Sequence, residues 1–257
     1  MNSNAVISMK PMPLWQAFLM FAVPSALQTV SMYVILPMIA GRVSYPMLWW
    51  FLALYLIPLT LMLPAAYIAY RLDRYPPTWQ ALKDRFYLKP LKGRDWGWVV
   101  GLVVVFGLAA SVLSPVSRWL ASQPIFMPPD FVPPVVDPRI TTLPTEIMGV
   151  SLKGNWLVLI IYALALAFNI LGEELYMRGY ILPRQTLTHG RWAWLVHGIL
   201  WTLFHFFQRW TYIQLLPITL SLSYVAYRTK NTSIAIAAHY IGNGIIGMIP
   251  ILFVVAG

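Results

Sequence analysis

The chain has 257 residues, 59% of them hydrophobic and 10% charged, with a mean hydropathy of +0.67 and a formal net charge of +10. Soluble domains carry about a quarter charged residues, so this composition excludes an ordinary water-soluble globular fold and indicates an all-α, polytopic membrane protein. The absence of cysteine excludes disulfides, thiolate nucleophiles and Cys-ligated zinc; nucleic acid is not expected as a partner, because the basic residues flank apolar stretches and orient the chain against the lipid bilayer.

A helix needs about 20 apolar residues to cross the hydrocarbon. About seven such segments are expected, near 14–41, 45–70, 96–117, 155–182, 192–208, 212–227 and 233–256, giving a bundle of about seven to eight transmembrane helices. The N-terminal stretch leads into an apolar run too long for a signal-peptide core, so the first span is expected to remain as an anchor. Between the second and third segments, residues 71–95 hold Arg71, Arg74, Lys83, Arg85, Lys89, Lys92 and Arg94, which the positive-inside rule puts in the cytoplasm. The N-terminus is then also cytoplasmic, and about 13 of the 18 Lys and Arg residues fall inside. Within that basic segment, Trp79 to Leu88 can form a short amphipathic helix with Trp79, Leu82 and Phe86 on one face, lying among headgroups; a solvated basic loop is the plainer alternative.

Residues 123–146 contain Pro124, Pro128, Pro129, Pro133, Pro134, Pro138 and Pro144. Interior prolines remove helix donors and clash with the preceding turn, so an extended external loop is expected here. The chain reads as one membrane domain over 1–257: N-terminal spans in 1–122, the Pro-rich loop in 123–154, and a polar-bearing set of spans in 155–257.

That last part holds the anomaly. Of the eight carboxylates, only Glu173 and Glu174 lie inside an apolar segment, where each ionised side chain costs roughly 2.5–3.5 kcal/mol at mid-helix. Glu174 and Arg178 stand at i and i+4, acid first, the favourable order on one helix face. Their pairing is as well explained by helix packing as by chemistry. Glu173, about 100 degrees around the helix, lacks that partner, and an unpaired carboxylate in low dielectric is a candidate general base or acid. His197, His205 and His239 lie in other apolar segments, and His239 and Asn243 share a helix face at i, i+4. His189 falls in a cytoplasmic turn.

Three motifs, "EELYMR" (Glu173 to Arg178), "WTLFH" (Trp201 to His205) and "HYIGN" (His239 to Asn243), occur in order, each in an apolar segment. The pattern resembles the CAAX prenyl protease and bacteriocin-processing family of intramembrane proteases, also called the Abi family, over about residues 155–250. Trp201 departs from the commoner Phe of the second motif but keeps an aromatic. The resemblance implies an intramembrane endopeptidase in which Glu173, assisted by His205, activates water, His239 and Asn243 stabilise the oxyanion, and Glu174 and Arg178 form a supporting pair. It implies a membrane-associated or lipidated peptide as substrate, with prenylated CAAX peptides the best-known case. No cofactor is required on this reading, since Asn243 is a poor zinc ligand but a good oxyanion donor; zinc held by Glu173, His205 and His239 with one position open is the alternative.

No H-E-x-x-H, no Asp within a span and no Gly-flanked Ser motif is present, so other intramembrane protease mechanisms lack their residues. Two further readings stay open: a non-catalytic immunity or scaffold protein of the same fold, and an ion-coupled transporter, for which Gly172, Gly242 and Gly244 would permit local unwinding. Depth poses a test. Counted from the cytoplasmic ends, Glu173 and His239 lie roughly 9 and 6 residues in and His205 about 13, several ångströms deeper at 1.5 Å per residue.

Overall fold

A computed structural model describes residues 9–40, 42, 46–133 and 136–257. Residues 1–8, which open the segment expected in the cytoplasm, and Pro134 of the Pro-rich loop lie outside the described residues. The architecture is an all-α membrane bundle. Among the described residues, five helical runs are long and apolar enough to cross a membrane by length and composition: Leu14–Ile39, Met47–Leu72, Gly93–Val112, Trp156–Thr229 and Thr232–Ala256.

The first run, α1 (Leu14–Ile39), buries Ala17, Phe21, Ser25 and Gln28, spaced as one helical stripe, and turns Leu14, Phe18, Val23 and Leu27 outward. Outward apolar side chains of this kind suit lipid, and the inward stripe suits a bundle. α2 (Met47–Leu72) repeats the pattern with Phe51, Leu52, Leu56, Leu59, Met62, Ala66 and Tyr70 inward. α4 (Gly93–Val112) begins where the Asp95 carboxylate accepts the Lys92 backbone N–H at 2.9 Å, and it buries Val99, Leu102, Phe106 and Ala109. The third apolar segment, expected to run to 117, instead stops at Val112; a separate α5 (Ser114–Ala121) follows, with Pro115 in its first turn. Proline is well accommodated there, because its missing N–H would be unpaired anyway.

Between α2 and α4, α3 (Trp79–Arg85) is shorter than the expected amphipathic helix and does not present Trp79, Leu82 and Phe86 to lipid as one face. Trp79 is exposed, but Phe86 is buried in the main core and Leu82 packs against that core. Arg85 is buried too, donating to the carbonyls of Gly179 at 3.0 Å and Tyr180 at 3.4 Å. The segment therefore docks into the bundle by a hydrophobic ring and a cation with two acceptors, which together outweigh burial at the interface.

The Pro-rich segment ends in a two-stranded antiparallel hairpin, β1 (Glu146–Ile147) and β2 (Val150–Ser151). Met148 and Gly149 both take positive φ at its tip, the turn geometry whose twist matches the strands. Alternation over two residues per strand is too short to read from sequence. The loop is fastened by Trp210 Nε1, which donates to the Val136 carbonyl at 2.9 Å, and by Arg209, which reaches the Ile125 carbonyl. Burial alone would raise the Asp137 carboxyl, but the Arg139 guanidinium, donating at 2.7 and 3.0 Å, with its backbone N–H and charge, holds it below the usual carboxylate range. The pair's contribution is present above the ordinary aspartate pKa of about 3.9 and is lost as pH falls through the lowered value.

The run Trp156–Thr229 has 74 residues and folds back on itself. It contains α6 (Trp156–Glu173), a wider-wound π segment (Glu174–Ile181), α7 (Leu182–His189), α8 (Ala193–Phe204) and α9 (Tyr212–Thr229). Between α8 and α9 the tight turn His205–Thr211 includes Gln208 at φ −131°, outside helical geometry. α8 and α9 pack face to face, with the Thr202 and Thr219 hydroxyls 2.6 Å apart. The last run, α10 (Thr232–Ala256), starts on an Asn231 cap and contains a second wide segment, Tyr240–Ile246.

Four helical glycines mark close approaches: Gly198, where a Cβ would lie 2.7 Å from Leu220, and three that face earlier parts of the chain. A Cβ on Gly172 would lie 3.0 Å from the Leu63 backbone nitrogen, on Gly179 2.6 Å from Phe86, and on Gly242 2.7 Å from Phe106. Gly172 and Gly242 thus serve close packing at the very positions where unwinding was considered. Gly179→Ala is expected to destabilise the protein by about 1–3 kcal/mol through overpacking, seen as a lower melting temperature in detergent, because buried Phe86 has nowhere to move.

Candidate active site

The site is built where α6 runs into its π segment. Glu173 ends the regular helix and Glu174 begins the wider winding. Such segments carry one extra residue per turn and are frequent at functional positions. Both carboxylates are buried, as is Arg178.

Glu174 and Arg178 form a bidentate pair within this segment, Arg178 Nε donating to Oε2 at 2.6 Å and Nη2 to Oε1. From α10, His239 Nδ1 stands 2.8 Å from Glu174 Oε1. With the proton on Nδ1, His239 donates to the carboxylate and its Nε2 accepts from the Asn243 amide at 3.1 Å. Arg178, Glu174, His239 and Asn243 are therefore one hydrogen-bonded chain across two helices. Every buried charge in it has a partner, which is what makes such a group tolerable in low dielectric.

Glu173 belongs to a second arm. Trp201 Nε1, on α8, donates to Glu173 Oε2 at 3.3 Å. The Trp201 carbonyl accepts from His205 Nδ1 at 3.0 Å, which leaves His205 Nε2 as an acceptor. Among the described residues no direct hydrogen bond joins Glu173 to His205. The Trp201 ring is common to both arms: the Arg178 guanidinium lies 3.6 Å from its centroid, and the rings of His205 and His239 lie 6.1 and 6.0 Å away. His205 and His239 therefore gather around one side chain, so the difference in depth counted along the sequence does not separate them. α8 starts at Ala193, within one residue of the expected segment, after the Gly190–Trp192 turn, and His205 falls just past its end.

Sequence reasoning treated Trp201 as an aromatic replacement. The indole N–H, which Phe lacks, was the available signal. His197 is elsewhere in function: its Nδ1 meets Gln185 Oε1 at 2.5 Å in a buried pair linking α7 and α8. Both nitrogens of His239 are engaged, and among the described residues no group of three or more His, Asp or Glu side chains is arranged to hold a metal ion.

An all-α membrane bundle with carboxylate, imidazole and amide groups converging from three helices defines a class of intramembrane site. The sequence model described as Type II CAAX prenyl endopeptidase Rce1-like matches residues 155–245, the stretch that carries all three motifs. The family is one of proteases, and its match agrees with the resemblance read from those motifs. No curated protein and no solved structure matches the chain.

Proposed function

We propose that the protein is an intramembrane endopeptidase that hydrolyses a peptide bond near the C-terminus of a prenylated CAAX-type or other membrane-associated peptide. The observation that carries this reading is the convergence of Glu173, His205 and His239 around Trp201, with Asn243 bonded to His239, within the stretch that matches the family.

Glu173 has one carboxylate oxygen held by the indole and the other available to water. His205, donating through Nδ1, offers Nε2 as a second acceptor for the same water. Glu173 takes a proton as the water oxygen attacks the scissile carbonyl carbon, then returns it to the departing amine as the C–N bond breaks; the products are a carboxylate and an amine. The remaining N–H of Asn243 is the donor for the oxyanion, a fixed dipole in a dry site. His239, with its proton committed to Glu174, orients that amide, a role distinct from the direct donation the motif resemblance implies. The basic segment 71–95 and the N-terminus face the cytoplasm on this reading, and the site opens to that side.

The test is cleavage of a fluorogenic peptide panel, including a farnesylated CAAX peptide, by detergent-purified protein with and without a chelator. Cleavage that chelator leaves intact and that Glu173→Ala and His205→Ala each abolish is the expected result; activity persisting in both variants would sink the assignment. Trp201→Phe keeps the ring over Arg178 and removes the donor to Glu173. A hydrogen bond to a charged group is worth about 1.5–3 kcal/mol, so turnover is expected to fall at least roughly tenfold while the melting temperature stays within a few degrees.

A further inference from the structure

At the end of the bundle where α4 begins and α9 turns into α10, a cavity of about 430 Å³ is lined by Lys89, Lys92, Arg94, Arg228, Trp98 and Asp95. Its lining is predominantly polar, unlike the apolar grooves elsewhere on the bundle. Four cations meet one carboxylate there. Asp95 is already occupied with the Lys92 backbone N–H, and Arg94, its side chain 87% exposed, approaches it only to 4.0 Å. Among the described residues no carboxylate pairs with Lys89, Lys92 or Arg228.

Like charges brought around one cavity repel unless something neutralises them. The two segments that supply them are held together at the backbone by the Thr232 N–H donating to the Tyr87 carbonyl at 3.0 Å, which keeps the four cations on one rim. Trp96 and Trp98 are both exposed at the start of α4, just before its apolar run from Val99. Tryptophan prefers the headgroup level, which puts the cavity at the depth of lipid phosphates.

We infer that this cavity binds the phosphate of an anionic lipid headgroup, gripped by Lys89, Lys92 and Arg94 from one segment and Arg228 from the other. A bound phosphate ties the N-terminus of α4 to the turn that launches α10. These helices meet again within the membrane, where the Phe106 ring lies 6.0 Å from that of His239 and fills the space beside Gly242. The lipid thus braces the helix carrying His239 and Asn243 against its neighbour. This site does not depend on the proteolytic reading.

The experiment is thermal unfolding of the full chain in a neutral detergent at constant ionic strength, titrated with dioctanoyl phosphatidylglycerol, dioctanoyl phosphatidylcholine or inorganic phosphate. Phosphatidylglycerol is expected to raise the melting temperature saturably. Phosphatidylcholine is not. In Lys92→Gln/Arg94→Gln/Arg228→Gln the apparent affinity is expected to fall at least about tenfold, given that each cation near an anionic surface contributes to binding. The control Lys10→Gln/Lys153→Gln/Arg191→Gln removes equal charge from other exposed positions and is expected to respond like the unaltered protein. An equal response in the triple variant, or an equal loss in the control, overturns the site. A response to inorganic phosphate that matches the lipid's overturns the lipid assignment and makes the occupant a soluble phosphate.

Discussion

Replacing Glu174 with alanine is expected to cost about 3–5 kcal/mol of stability, the range for breaking one half of a buried ion pair. Arg178 has no exposed side-chain surface, and its Nε and Nη2 both donate to that carboxylate. With Glu174 gone, the guanidinium keeps its stacking on Trp201 but loses both charge-assisted bonds, and His239 Nδ1 loses its acceptor at the same time. Since a domain's whole stability is commonly 5–15 kcal/mol, the variant should unfold at markedly lower temperature in detergent. The double change Glu174→Leu/Arg178→Met removes both charges together and is expected to recover most of the loss, as buried pairs replaced by apolar residues often do. A cycle of the two single variants and the double, read by melting temperature, isolates the coupling. If Glu174→Ala melts with the unaltered protein, the two residues do not form the pair described.

Glu173→Gln should behave in the opposite way: stability kept, chemistry lost. Glutamine has nearly the same shape, and its side-chain oxygen can accept the Trp201 N–H in place of the carboxylate. It cannot ionise to take a proton from water. Positioned acid–base groups contribute about 10²- to 10⁴-fold, and a loss of that size in kcat, with the melting temperature unchanged, is expected in the peptide assay. A fall in both activity and stability would instead make Glu173 a packing residue.

Much of this was legible in the sequence, because the strongest signals there are costs. Two glutamates in an apolar stretch demand partners, and the three motifs named the helices that would supply them. Which acid goes with which base was less legible. Glu174 and Arg178 follow from a single helical interval, but which carboxylate His239 meets depends on how α10 docks against α6, a tertiary contact that the periodicity of one segment does not contain. Helix ends were misplaced where tertiary contacts decide them. The third helix yields to Pro115, and α8 gives way to an irregular turn at His205. The local pattern puts Phe86 among headgroups, with a solvated loop as the alternative, and Arg85 among the cytoplasmic basic residues, whereas in the fold they are drawn inward by the Gly179 and Tyr180 carbonyls and by the space Gly179 leaves. A window of ten residues contains neither partner.

The close approaches at Gly172, Gly179 and Gly242 bear on how the chain can be inherited. Each glycine lies within the stretch that matches the family, and each is filled by a residue from outside it, Leu63, Phe86 or Phe106. The N-terminal half is therefore free to vary where its apolar side chains face lipid, but its inward stripes, and above all Leu63, Phe86 and Phe106, are held in volume and placement by what they pack against. Grafting residues 155–245 onto a foreign set of helices would leave three grooves without tenants. The two halves are heirs to one another, and a change of side-chain size on one side of any of these contacts should be matched on the other.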